Sequence, residues 1–169
     1  DVEKINTQGG SLRVKIYKKS SRHEPLKNVS NFLEKEDRLG ISDSNFYMEL
    51  ASKIDKKVET IKSMFTEKYF DDDVLILGSP ARGVITANVC GFDKFNKAIA
   101  FDDTEDKQGL MIPGTSIMVH KPDSIDYKKY NVACLLAWTY KDNIIDRLRD
   151  YGFKGKVFIP FPKSEYLII

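Results

Sequence analysis

A chain of 169 residues, 41% hydrophobic and 31% charged, is long enough to close one domain around a sizeable core. Its formal net charge of +2 is too near balance to suggest a partner among nucleic acids or acidic membranes. No apolar run approaches the roughly 18 residues of a bilayer-spanning helix.

The chain opens on Asp1-Val2-Glu3-Lys4, with neither an initiator Met nor a signal peptide, and looks like the interior of a longer protein. In Ser11–Tyr17, Leu12, Val14 and Ile16 alternate with polar residues, the pattern of a half-buried strand. One wet face predicts that this strand stays out of any doubly covered sheet, and no partner for it is obvious nearby. Residues 1–20 are expected to be an edge-strand remnant of a preceding domain.

Residues 21–70 read as helical. Pro25 can start a short helix carrying Leu26, Val29, Phe32 and Leu33, which stops near Gly40; Ser42 or Asp43 then caps a longer one. Phe46, Leu50, Ile54, Val58, Ile61 and Phe65 form one apolar stripe, expected to pack on a sheet. The intervening Lys53, Lys56, Lys57 and Lys62, with Asp55 and Glu59, read as its solvated face.

Asp71-Asp72-Asp73 marks a boundary, and residues 71–169 read as a Rossmann-like domain. Val74–Leu77 is a doubly buried strand that runs into Gly78-Ser79-Pro80-Ala81-Arg82-Gly83 and a helix ending at Gly91. Lys97–Phe101 is a second strand, 104–115 a polar loop, Ser116–Val119 a short strand and Val132–Ala137 a buried parallel one. Asp142–Tyr151 is a helix with Ile144, Ile145 and Leu148 inward, Lys156–Pro160 is the last strand, and Glu165-Tyr166 belong to a tail. The alternation predicts a three-layer α/β sandwich with a mainly parallel sheet of five strands.

The loop at 78–83 is spaced GxxxxG, with Pro80 in place of the middle glycine of the dinucleotide fingerprint GxGxxG. Proline lacks an N–H and hinders the closest approach of a pyrophosphate, so the loop argues for the fold more than for bound NAD. Arg82, at the helix start, can clamp a phosphate or pair with Asp102 or Asp103. Asp102, at the end of the second strand, stands where Rossmann domains keep a ribose-gripping acid; it can equally cap the turn, and Asp103 can fill either role. Trp138, at a strand's carboxyl end, can stack on a base or sugar or cap the core. His23 and His120 read as solvated loop residues. Cys90 and Cys134, in apolar runs far apart, read as small core residues that make neither a zinc site nor a CxxC pair. A reduced, cytoplasmic, metal-free protein is the expectation. No carboxylate pair, metal cluster or activated nucleophile emerges, so no catalytic residue is assigned.

Four motifs, Gly9-Gly10-Ser11-Leu12-Arg13, Gly78-Ser79-Pro80-Ala81-Arg82-Gly83, Lys107-Gln108-Gly109…Ile112-Pro113-Gly114-Thr115 and Ala137-Trp138-Thr139-Tyr140, occur in an order that resembles the C-terminal portion of SAM-dependent sugar C-methyltransferases. The resemblance covers nearly the whole chain. It implies a cysteine-rich zinc domain and a SAM-binding domain upstream, followed by this Rossmann-like part. It also implies a keto-deoxysugar substrate on a nucleoside diphosphate, from which a base takes an acidic C–H so that the carbanion attacks the SAM methyl. S-adenosylmethionine and the base would then belong to the upstream domain, and no cofactor to this part. The substrate-binding role of this part carries over to Gly78, Ser79, Arg82, Gly83, Asp102, Lys107 and Trp138. The chain departs from the family at Gln8, where His is common, and at Arg82, where Lys is. It departs again at Thr104-Glu105-Asp106, where Arg-Asn-Pro is common, and at Thr139, where Asn is. A free-standing nucleotide-binding module and a structural or dimerisation domain are the alternatives. Purified by itself, the chain is expected to transfer no methyl group and to show no micromolar SAM binding by calorimetry, because it has only one glycine-rich strand–helix loop.

Overall fold

The computed structural model describes the backbone of residues 1–169 and every side chain except that of Gln8. It divides into two units, Asp1–Asp55 and Lys56–Ile169.

In the first unit, β1 (Val2–Ile5) and β2 (Ser11–Val14) form an antiparallel hairpin, with Val2 opposite Val14 and Ile5 opposite Ser11. The partner of β2 is therefore a strand that sequence patterning missed. Four residues with one apolar face give too short a signal. Leu12, Val14 and Ile16, read as the covered side of a half-buried strand, are 51%, 60% and 88% exposed. Helix α1 (Lys27–Leu39) ends at Gly40, whose left-handed φ of 68° lets its N–H reach back to Asp37. Helix α2 (Ser44–Ile61) is capped by Asp43, whose Oδ1 accepts the Asn45 N–H at 2.9 Å. Among the described residues of 1–55, none is fully buried.

The second unit takes in the end of α2, which continues through a wider π turn over Lys62–Thr66. Only this end of the apolar stripe is sheet core: Ile61 and Phe65 are buried, whereas Leu50 and Ile54 remain 43% and 53% exposed. The sheet is built from β3 (Asp73–Leu77), β4 (Lys97–Phe101), β5 (Met118–His120), β6 (Val132–Leu135), β7 (Lys156–Ile159) and β8 (Glu165–Ile168). Their order is β5-β4-β3-β6-β7-β8, parallel except for the last pair. The chain winds one way from β3 and the other way from β6, so the topological switch lies between these two central strands.

Side chains alternate across β3 as a two-sided strand requires. Val74 and Ile76 join Phe65, Ala87 of α3 (Ala81–Val89), Phe92, Phe95 and Phe158 on one face. Leu75 and Leu77 join Tyr127, Phe153 and the Ile144, Ile145 and Leu148 of α4 (Lys141–Asp150) on the other. That is the expected three-layer α/β sandwich. No helix is long and apolar enough to cross a membrane.

Two details depart from the sequence expectation. Glu165–Ile168 is a sixth strand, antiparallel to β7, and not a tail. Tyr166 anchors it: its ring lies 5.2 Å from that of Phe158, and its hydroxyl donates to the Met64 carbonyl. Strand β6 ends at Leu135, two residues early, because the Leu136 and Ala137 amides both turn to the Leu77 carbonyl at 3.1 Å.

Phe65 is the centre of the first face, with its ring stacked on Phe158 at 5.1 Å, tilted against Phe92 and edge-on to Phe95. Phe65→Ala is expected to lower unfolding free energy by about 3–5 kcal/mol, read from the urea midpoint at unchanged m-value.

Candidate functional site

The carboxyl ends of β3 and β6 diverge at the switch point, and a cleft of 350 Å³ opens there. Gly78, Pro80 and Ala137 line it together with Phe101, Asp102, Asp103, Thr104 and Lys107 after β4, and Tyr140, Asn143 and Ile144 at the start of α4.

Gly78 is required on two counts. Its φ is 79°, and a Cβ there would stand 2.6 Å from that of Ala137. Gly83 answers a packing demand, since a Cβ would come within 2.9 Å of Leu136. The two glycines thus fold the loop and seat α3 against the end of β6, the structural duties of the outer glycines in a dinucleotide fingerprint.

Asp102 is turned into the loop rather than toward a ligand. Its Oδ2 accepts from the Ser79 N–H at 2.8 Å, the Ser79 hydroxyl at 2.8 Å and Lys107 Nζ at 3.0 Å; Oδ1 accepts from the Thr104 N–H at 3.0 Å. Burial alone would raise this carboxyl, but the hydrogen bonds from Thr104, Ser79 and Lys107 outweigh it and hold it well below the usual carboxylate range. Lys107 also donates to the Ser79 carbonyl at 3.1 Å. Ser79, Asp102 and Lys107 are therefore brought together, though as the internal frame of the loop.

Neither acid pairs with Arg82, contrary to one of the two expectations for that residue. Asp103 is held by both guanidinium nitrogens of Arg147, at 2.8 and 2.9 Å, and Asp102 by Lys107. Arg82, exposed in the first turn of α3, makes no ion pair among the described residues. Its guanidinium sits 5.7 Å from the Trp138 ring centroid, beyond the lining of the cleft. Trp138 packs at 4.8 Å on Phe161, whose ring also lies 5.2 Å from Lys57 Nζ.

Other polar candidates are accounted for. His120 lies in β5, half-buried, and His23 stacks on Tyr17 at 4.0 Å, so neither is a bare loop residue. Burial pushes the Cys90 thiol up to about 11 against the opposing pull of Lys62, and also raises Cys134 well above the usual thiol range, so both are inert core residues. Among the described residues, no group of three or more His, Cys, Asp or Glu could hold a metal ion. Sequence reasoning missed the α4 wall. Tyr140 and Asn143 follow the switch-point strand β6, and that position was the available signal.

A switch-point cleft beside a glycine loop, on a sheet of this order, defines a Rossmann-like α/β domain. The chain belongs to the C-methyltransferase C-terminal domain family, whose model matches residues 6–162. It is 27% identical over 169 residues to the C-methyltransferase NovU of Streptomyces niveus, covering 99% of this chain and 40% of the relative. The chain thus spans well under half the length of that relative.

Asp102→Asn is expected to cost about 1.5–3 kcal/mol at pH 7, the range for hydrogen bonds to a charged group; screening of the partly exposed Lys107 favours the lower end. Because the folded pKa is depressed, this stability is fully present above the unfolded value of about 3.9 and fades as pH falls below it. Urea titrations from pH 7 to 3 should show the wild type losing its advantage over the variant in that acid window.

Proposed function

We propose that this chain is the nucleotide-sugar-binding C-terminal part of a SAM-dependent C-methyltransferase that acts on a nucleoside-diphosphate-linked keto-deoxysugar. It would not be catalytic alone. The observation that carries the reading is Arg82: among the described residues, a guanidinium without an ion pair in the first turn of α3, the helix that follows the cleft-lining Gly78 and Pro80. The amides of that turn point at any anion placed there, and the helix dipole adds roughly half a positive charge. An exposed cation–π contact is worth only about 0.5–1 kcal/mol, so Trp138 can release Arg82 to a phosphate.

The cleft residues do not fit SAM. The Ser79 amide that a glycine loop would offer is committed to Asp102, and the Asp102 oxygens are taken by four donors. SAM and the base for C–H abstraction are assigned to a preceding domain of the same longer chain, in the cytoplasm. Support for such a domain comes from residues 1–55, which bury no side chain fully among those described and expose Leu12, Val14, Ile16, Leu33 and Leu39. A segment of that size without a core needs a partner surface.

One observation favours a second reading, a purely structural domain. Asp102 already fills the loop with an internal anion, which lowers its appetite for an external one. Titration of a nucleoside diphosphate into wild type and Arg82→Ala separates the two. A phosphate clamp predicts a loss of about 1.5–3 kcal/mol, roughly tenfold or more in Kd. Equal affinities would eliminate the clamp, and binding by neither protein would leave the structural reading.

A further inference from the structure

The two sides of the cleft differ in chemistry, and the phosphate reading uses neither. On the β4 side, Lys107 is spent on Asp102 and on the Ser79 carbonyl, so it offers no free positive charge. What lines the cleft with hydrogen-bonding capacity left over is a carboxylate, an amide and a phenol: Asp103, which Arg147 only partly occupies, Asn143 and Tyr140. We infer that these three residues form a hydroxyl-reading wall that holds a sugar ring in the switch-point cleft. This inference rests on the nucleotide-sugar reading and names the group that the cleft itself takes.

The geometry supports it at each residue. The Arg147 fork gives one hydrogen bond to each Asp103 oxygen, at 2.8 and 2.9 Å. A carboxylate has about four acceptor sites, so each oxygen keeps one, at an orientation set by the planar fork. Arg147 is itself steadied over the rings of Phe101 and Tyr151, at 5.8 and 6.0 Å. Tyr151 in turn stacks on Tyr127 at 4.5 Å. The fork occupies the two parallel lone pairs, so the remaining acceptor positions diverge and one of them is available to a single hydroxyl in the cleft. Asn143, exposed in the first turn of α4, makes no side-chain hydrogen bond among the described residues and can both donate and accept. Tyr140 is 68% exposed, and its hydroxyl is likewise without a partner among them. Its apolar ring face complements the C–H face of a sugar, and its hydroxyl the polar rim. A cleft of 350 Å³ is at the small end of ligand sites, the size for one ring rather than a whole nucleotide sugar.

The hydroxyls could belong to the nucleoside's ribose or to the transferred sugar, and calorimetry with four probes distinguishes them: inorganic pyrophosphate, 2′,3′-dideoxyuridine diphosphate, uridine diphosphate and UDP-glucose. Wild type is expected to bind at least one hydroxyl-bearing probe about tenfold tighter than the probe lacking those hydroxyls. A gain from the dideoxy compound to uridine diphosphate assigns the ribose; a gain from uridine diphosphate to UDP-glucose assigns the sugar. Asp103→Asn and Asn143→Ala should each remove about fivefold or more of that gain, the scale of one or two hydrogen bonds, with pyrophosphate affinity unchanged. Arg147→Lys, which keeps the charge but loses the fork, should weaken only the hydroxyl-dependent part. If pyrophosphate binds through Arg82 but hydroxyls add nothing, the wall is wrong and the phosphate reading stands. If the hydroxyl gain survives in both variants, the wall is also wrong. If pyrophosphate fails to bind while the hydroxyl gain is present and lost in the variants, the phosphate clamp falls and the wall stands. Binding of none of the four overturns both.

Discussion

The Asp102 carboxylate, taken out of water at the end of β4, accepts hydrogen bonds from the Ser79 amide and hydroxyl, the Thr104 amide and Lys107. Those donors come from the loop after β3, the turn after β4 and the segment leading toward β5. One buried anion therefore ties together three pieces of chain that would otherwise splay at the carboxyl edge of the sheet. Its charge is affordable there only because nearly every acceptor position is filled. The Ser79 amide and the Asp102 oxygens are thereby used within the loop and are not offered to the cleft.

The other charges around the loop are also paired within the fold, with one exception. Lys107 belongs to Asp102 and Arg147 to Asp103, whereas Arg82 has no carboxylate partner among the described residues. The Trp138 ring keeps Arg82 close to the helix start without neutralising it. The ring is in turn braced by Phe161 in the reversal between β7 and β8, where Lys57 donates to the Pro162 carbonyl and to Ser164 at 3.1 and 2.8 Å. A loop on the far side of β7 from the glycine turn thus contributes to the placement of the guanidinium. The Thr104 contribution to this arrangement is a backbone amide, which any non-proline residue supplies.

Much of the sheet was legible because parallel strands covered on both faces write themselves as apolar runs, as at Val74–Leu77 and Val132–Leu135. The glycine loop was legible for a similar reason, since the close approach of Ala137 and Leu136 admits no side chain at 78 and 83. Strands β1 and β8 were not. Each is four residues long and partly exposed, and each gains its identity from a partner elsewhere. The partner relations of Arg82 were equally hidden, because spacing shows which charges are near in the chain but not which competitor reaches them first.

The amino-acid sequence by itself determined the layer architecture and the glycine turn. These depend on local periodicity, on the steric demands of single residues and on composition. The tertiary structure alone decided that Asp102 faces inward, that Arg147 takes Asp103, and that Tyr140 and Asn143 form the second wall of the cleft. Each of these rests on contacts between segments far apart in the chain. Their strength depends on burial and competing partners, quantities that exist only once the chain has folded.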